Sequence, residues 1–216
     1  MENIDISEAL IRRKGKVCTS KDFVELFHGE YLKYISRMTN SKWILPLKAF
    51  RGIYYVLEAN ERERGSLKTD GFCILIRALN AVFGDGWYFG RMTALHLLGV
   101  IHQPPSVSYV MNGRYTKSAN SDIMGKLDFT KISASMDSAY GIEEKEYRGT
   151  PYRVSTIERT AADYLYLYVH GHIGREQLVR NCSVFSPDAK RMDEIMVGAY
   201  PENSSKKMLT AERLIE

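Results

Sequence analysis

Cysteine is scarce in this chain: Cys18, Cys73 and Cys182 are the only three in 216 residues, and they lie far apart. That spacing excludes a disulfide framework and the usual zinc-ligand patterns, so three reduced, partly buried thiols are expected. Long apolar runs are missing as well, and nothing approaches the roughly 18–20 apolar residues of a membrane span. The opening residues Met1-Glu2-Asn3-Ile4-Asp5 are acidic and carry no apolar leader core, so a cytoplasmic protein without a membrane partner is expected. We find no glycine-rich phosphate loop, nucleophile elbow, internal repeat or low-complexity tract. No cofactor is implied.

What the chain does have is a lopsided charge. Residues 1–57 hold ten Lys/Arg against six Asp/Glu, while residues 58–216 hold twenty of each. The net charge of +4 therefore belongs to one small segment, as in a nucleic-acid footprint beside a neutral second domain.

The local signals in that segment predict three helices and a two-stranded wing. A first helix is expected from Asp5 or Ser7 to Gly15, and Val17 begins a brief extended entry. Thr19-Ser20-Lys21-Asp22 has cap spacing, with Asp22 placed to favour the positive start of a second helix. Phe23, Val24, Leu26 and Phe27 form its apolar face, and Gly29 supplies the turn. A third helix is expected over 31–41, with Leu32, Ile35, Met38 and Thr39 inward. Lys33, Ser36, Arg37 and Asn40 recur at i, i+3, i+4 and i+7 and form one polar stripe. Trp43 to Leu47 reads as a strand, residues 48–52 as its turn, and Ile53 to Leu57 as the returning strand.

A helix fits the major groove of DNA, where Arg37 can bind guanine bidentately and Asn40 adenine. Lys33 and Ser36 suit phosphate or base. Lys42, Lys48 and Arg51 would touch phosphates or an adjacent minor groove. Thr19, Ser20 and Lys21 sit at a helix start that can receive a phosphate, or can simply cap the helix. A solvated helix face has the same composition as the stripe. The stripe points to DNA because the cap, the glycine turn, the wing and the charge bias accompany it.

Residues 58–70 are charged and apolar-poor, and read as a linker or boundary, although a helix is possible there. The expected division is residues 1–58 for a winged helix-turn-helix, 59–70 for the boundary and 71–216 for a second domain, α+β overall. In that domain, Thr69 or Asp70 can cap a helix through Asn80 with Ile74, Leu75, Ala78 and Leu79 inward, and another helix spans 91–98. Asn112-Gly113 is the strongest hairpin signal. Strands are expected near 126–132 and 142–147, the latter turning at Arg148-Gly149 onto Tyr152-Arg153-Val154. Ser155-Thr156-Ile157-Glu158 has capping-box spacing for a helix to about Val169. Ser186-Pro187-Asp188 starts one more, and a last short helix follows Pro201.

Weaker chemistry is present there too. Asp128 with Glu143-Glu144-Lys145 loosely matches the Asp…Glu-x-Lys pattern of metal-dependent nucleases, and a solvated hairpin face explains it equally. His170-Gly171-His172 places two imidazoles together without a third ligand. His96 fits a core or edge position. Glu158 and Asp163 lie on the capped helix, and the capping box accounts for the first. Tyr164, Tyr166 and Tyr168 suit either a partner surface or a helix packed on a sheet.

Three stretches together resemble the AbiEi family, the antitoxin and transcriptional-repressor half of type IV toxin–antitoxin systems. They are the wing Phe50-Arg51-Gly52-Ile53-Tyr54, residues 92–105 (Met92-Thr93-Ala94-Leu95-His96 through Gly99 to Pro104-Pro105), and Glu158-Arg159-Thr160 with Asp163. The first of these belongs to a winged helix. Where this chain has Thr93 the family often has serine, which keeps the hydroxyl. The resemblance implies a non-enzymatic, bifunctional protein. Its N-terminal domain would bind inverted repeats in its own operator as an autorepressor. Its C-terminal domain would oppose a co-encoded nucleotidyltransferase-like toxin, with or without a stable complex. The alternative from the residues alone is a metal-dependent nuclease targeted by a winged helix.

Overall fold

A computed structural model describes residues 10–27 and 31–215, and their Cα positions divide into two compact units. The first is Met1–Gly84 with Asn120–Met124, and the second is Asp85–Ala119 with Gly125–Glu216. The fold is mixed α/β. Among the described residues no helix is long and apolar enough to cross a membrane.

In the first unit, strand β1 (Val17–Thr19) leads into helix α1 (Ser20–Leu26). Thr19 and Asp22 form a reciprocal capping box, the Asp22 carboxylate accepting from the Thr19 amide at 2.6 Å. Helix α2 (Tyr31–Asn40) follows, then β2 (Ile44–Pro46) and β3 (Ile53–Val56). Both outer strands pair antiparallel with β3, so the brief extended entry at Val17 is the third strand of a sheet ordered β1-β3-β2. Phe23 and Phe27 stack beneath the sheet and Tyr34 stacks on Phe27 at 4.6 Å, closing a core with Leu10, Met38 and Val56. The start of the first expected helix and the Gly29 turn lie outside the described residues.

Two expected inward positions are corrected. Leu32 is 69% exposed and Val24 40% exposed. Tyr34 fills the place that Leu32 was expected to take, because a ring two residues on reaches Phe27 across the helix pair.

Residues 59–70 are not a boundary. Ala59–Arg64 forms helix α3, held by Glu61, which is 2% exposed. Its carboxylate accepts from the amides of Glu58, Lys68 and Thr69 and from the Tyr55 hydroxyl. Helix α4 (Gly71–Phe83), capped by Asp70, buries Ile74, Leu75, Ala78 and Leu79 as expected. It belongs to the first unit, where Arg77 donates to the Gly15 carbonyl at 2.7 Å. The division thus falls at Gly84. A charged stretch resembles a linker until one of its acids is seen to collect four or more donors from inside the fold.

The second unit is built on β4 (Trp87–Phe89), β5 (Val107–Asn112), β6 (Lys117–Ser121, whose last two residues count with the first unit), β7 (Gly125–Lys131), β8 (Ile142–Tyr147) and β9 (Thr150–Ser155). Their order is β6-β7-β5-β4-β9-β8, with β5–β7 and β4–β9 parallel and β4–β5 and β8–β9 antiparallel. The expected hairpin at Asn112-Gly113 does not form. The Asn112 side chain does make the turn, accepting from the Arg114 and Tyr115 amides at 2.9 Å. However, β7 takes the place beside β5, because Leu127 and Phe129 can be buried there and Lys-Ser-Ala-Asn-Ser cannot. Polar β6 goes to the rim, where unpaired backbone meets water. By contrast Arg148-Gly149, both at positive φ, make the expected two-residue turn between β8 and β9.

Helices α5 (Arg91–Leu97), α6 (Ile157–Val169), α7 (Arg175–Cys182), α8 (Ala189–Ala199) and α9 (Glu202–Ala211) complete this unit. Thr156, one residue later than expected, caps α6 by accepting from the Arg159 amide, so Glu158 is not a box partner. Asp188 caps α8, and Pro187 precedes the helix rather than opening it. The expectations contain no helix at α7. Tyr164 and Tyr166 are buried and Tyr168 is half-buried, in keeping with a core helix. Cys18, Cys73 and Cys182 are reduced and buried, and burial pushes the Cys18 thiol up to about 11 and that of Cys182 to about 12.

One buried cluster organises α6. Arg159 and Asp163, one helical turn apart and both 0% exposed, pair at 3.3 Å. Asp163 also accepts from Tyr88 at 2.8 Å and from Tyr200 at 2.5 Å. Arg159 donates to the Ser135 and Tyr140 carbonyls and to the Tyr88 oxygen. Burial raises the Asp163 carboxyl, against the opposing pull of Arg159 and the two phenols, and burial likewise lifts Tyr88 and Tyr200 well above the ordinary phenol value.

Candidate nucleic-acid interface

Helix α2 separates its faces as its periodicity requires. Met38 is fully buried, Tyr34, Ile35 and Thr39 are half-buried, and Lys33, Ser36, Arg37 and Asn40 are all exposed. The four stripe residues therefore stand together on one solvent face of a ten-residue helix. Lys21, Lys42, Lys48 and Arg51 are exposed too. Lys42 takes a left-handed φ of +55° just past α2, which lets Trp43 return its amide to the Met38 carbonyl at 2.8 Å.

Thr19 and Ser20 are placed differently from the other candidates. The Thr19 hydroxyl is spent on the capping box, and the Ser20 amide and hydroxyl both donate to the Gly52 carbonyl, at 2.8 and 3.2 Å. With Asp22 also at this helix start, a carboxylate occupies the position a phosphate would take. Lys21 is the residue here that remains turned to solvent.

The turn between β2 and β3, residues 47–52, packs against the fold instead of standing free. Ala49 and Phe50 are buried, and Leu47 and Ile53 close it with a 2.9 Å backbone hydrogen bond. Lys48 and Arg51 alone point outward from its tip. The first unit as a whole holds fourteen Lys/Arg against eleven Asp/Glu, so enlarging it to Gly84 leaves the positive bias in place.

The nuclease residues are not brought together. Asp128 is on β7 and Glu143-Glu144-Lys145 on β8, four strand spacings apart in one sheet, which is about 19 Å. Asp128 bonds the Thr130 hydroxyl at 2.9 Å, and Lys145 pairs with Glu143 at 3.4 Å. Among the described residues no three His, Cys, Asp or Glu side chains could share a metal ion, His170 and His172 included. His170 instead bonds the Ser204 hydroxyl at 3.0 Å, and His96 the Ile101 carbonyl at 3.2 Å.

The residues that carry the family resemblance have structural work in this chain. The Thr93 hydroxyl accepts from the Tyr109 amide at 2.8 Å, tying α5 to β5. Arg159, Thr160 and Asp163 lie on the inner face of α6. The Arg159–Asp163 pair was not expected as a buried ion pair, although an Arg/Asp spacing of four on the Ala- and Leu-bearing side of a helix is the signal that could have found it.

No family model matches the chain, and no curated protein matches it. Among solved structures it is similar to the crystal structure of the RV2827C protein from Mycobacterium tuberculosis, with a TM-score of 0.58 at 14% identity, covering 97% of this chain and 74% of that one. At that identity the likeness is one of fold.

Proposed function

We propose that the chain is a DNA-binding transcriptional autorepressor and the antitoxin of a type IV toxin–antitoxin system. The first unit is read as a winged helix whose α2 enters the major groove, with Arg37 and Asn40 on base edges. Lys33, Ser36, Lys42, Lys48, Arg51 and Lys21 then reach phosphates or the neighbouring groove. The observation that carries this is the solvent-facing stripe of Lys33, Ser36, Arg37 and Asn40 within the positively charged unit. Its antitoxin half rests on the three stretches that resemble the AbiEi family, and assigns the second unit to opposing a co-encoded nucleotidyltransferase-like toxin.

The test is binding of the full chain to the DNA upstream of its own reading frame, followed by fluorescence anisotropy across a salt series. Affinity should fall steeply and log-linearly with salt as Lys/Arg–phosphate contacts release counterions. A flat salt response, or no preference for upstream DNA over scrambled DNA, sinks the repressor reading. Co-expression with the product of the adjacent frame tests the antitoxin reading separately, through rescue of growth.

A further inference from the structure

The first unit contains a cleft of about 420 Å³ whose lining residues all belong to that unit, and only Lys42 and Lys48 among them are also candidate DNA contacts. This volume suits a small organic molecule. Its walls include Ile44, Leu45, Pro46, Leu57 and Leu67, and its cations are Lys42, Lys48 and Arg62. The Glu61 carboxylate also lines it but is matched internally by three backbone amides and the Tyr55 hydroxyl. Asp122 pairs with Lys48 at 3.7 Å, but these side chains are 94% and 80% exposed, so the pair is solvent-screened. The Arg62 guanidinium lies over the Trp43 ring, 3.6 Å from its centroid, and its buried Nε–H has no acceptor. A positioned guanidinium with an unused donor, beside apolar walls, matches a carboxylate on an apolar body.

We propose that this cleft binds a small aromatic or branched-aliphatic monocarboxylate. The apolar body lies against Ile44, Leu57 and Leu67, and the carboxylate meets Arg62 and Lys42. Thr39 and Lys42 line the cleft and also belong to the end of α2 and the residues just past it, so occupancy draws Lys42 away from phosphate and weakens DNA binding. The effector consequence rests on the DNA-binding reading; the cleft's chemistry does not.

Phenylacetate serves as probe and phenylacetamide as its neutral counterpart, in a methyl NMR titration of the full chain. Phenylacetate should shift the methyl signals of Ile44, Leu57 and Leu67 saturably at millimolar concentration. Both phenylacetamide and the Arg62→Gln chain should bind about tenfold more weakly. Leu45→Trp, which adds bulk to the apolar wall and leaves the cations in the sequence, should abolish the shifts while thermal unfolding stays cooperative. Equal shifts with acid and amide, shifts that survive Leu45→Trp, or none at all overturn the site. Saturating phenylacetate should also reduce affinity for upstream DNA. Unchanged affinity in a chain that does bind DNA overturns the effector role. A chain that takes phenylacetate but never binds DNA leaves the cleft standing and removes the repressor reading instead.

Discussion

The backbone amide of Ser20 donates to the carbonyl of Gly52 at 2.8 Å, joining the start of α1 to the turn between β2 and β3 across 32 residues. Because Thr19 also pairs with Ile53 in the adjoining strands, the helix start and the turn are tied together at two points. Gly52 has a φ of +73°, and a Cβ there would lie 2.6 Å from the Ser20 Oγ. Gly52→Ala should therefore destabilise the first unit by about 1–2 kcal/mol through its left-handed backbone alone. Urea unfolding followed by Trp43 fluorescence measures this, and an unmoved midpoint would show the two segments to be uncoupled.

Substitution of Arg37 by alanine should weaken operator binding by about 1–3 kcal/mol and relax base preference at one position. Lys48→Ala should weaken all sequences alike and reduce the salt slope by about one contact. Competition anisotropy against a library of single-base operator variants separates the two patterns. If Arg37→Ala keeps both affinity and preference, α2 does not read bases.

Glu61 makes stability depend on pH in a defined direction. Burial opposes its charge, but the amides of Glu58, Lys68 and Thr69 and the Tyr55 hydroxyl together hold the carboxyl below its ordinary value of 4.5. A depressed folded value means the contribution is complete above pH 4.5 and is lost as pH falls through the folded value. Glu61→Gln replaces an acceptor by an amide group facing N–H donors, and should cost about 1–3 kcal/mol at neutral pH. The variant should also lose less stability than the parent between neutral and acid pH. Parallel acid-unfolding curves for the two proteins would contradict this assignment.

In the second unit, Asp163→Asn strands the buried Arg159 guanidinium and should destabilise by about 3–5 kcal/mol. The apolar pair Arg159→Met with Asp163→Leu should recover a large part of that loss, since it removes both charges together. Tyr200→Phe, which deletes one donor to Asp163, should cost only about 1–3 kcal/mol. Chemical unfolding of the three variants ranks them, and a double variant no better than Asp163→Asn would mean the cluster acts through shape instead of charge.

Local signals carried most of what could be read from the residues alone. Thr19 and Asp22 announce α1 because a cap needs only four neighbouring residues, and the α2 stripe is visible because a helix imposes its own period. What escaped reading depends on distant partners. Nothing near Glu61 reveals that Tyr55 and Thr69 converge on it, so residues 59–70 looked like solvent-facing charge. Asn112-Gly113 does turn the chain, but which strand then lies beside β5 is decided by Leu127 and Phe129, well downstream. The capping residue of α6 was displaced by one because Ser155 is drawn inward to the Thr160 hydroxyl at 2.7 Å. In the candidate interface the exposed stripe and the Thr19–Asp22 cap were legible, while the commitment of Ser20 to Gly52, 32 residues away, was not.

Strand β8 closes one end of the six-stranded sheet with Glu143, Glu144 and Glu146, all solvent-facing. Were two copies to meet along that rim, three carboxylates per copy would be brought together against one lysine, Lys145, and like charges on adjoining strands repel. The opposite rim offers the short polar run Lys117–Ser121 and no apolar grip. Charge on one margin and a short polar run on the other both disfavour edge-to-edge pairing between copies.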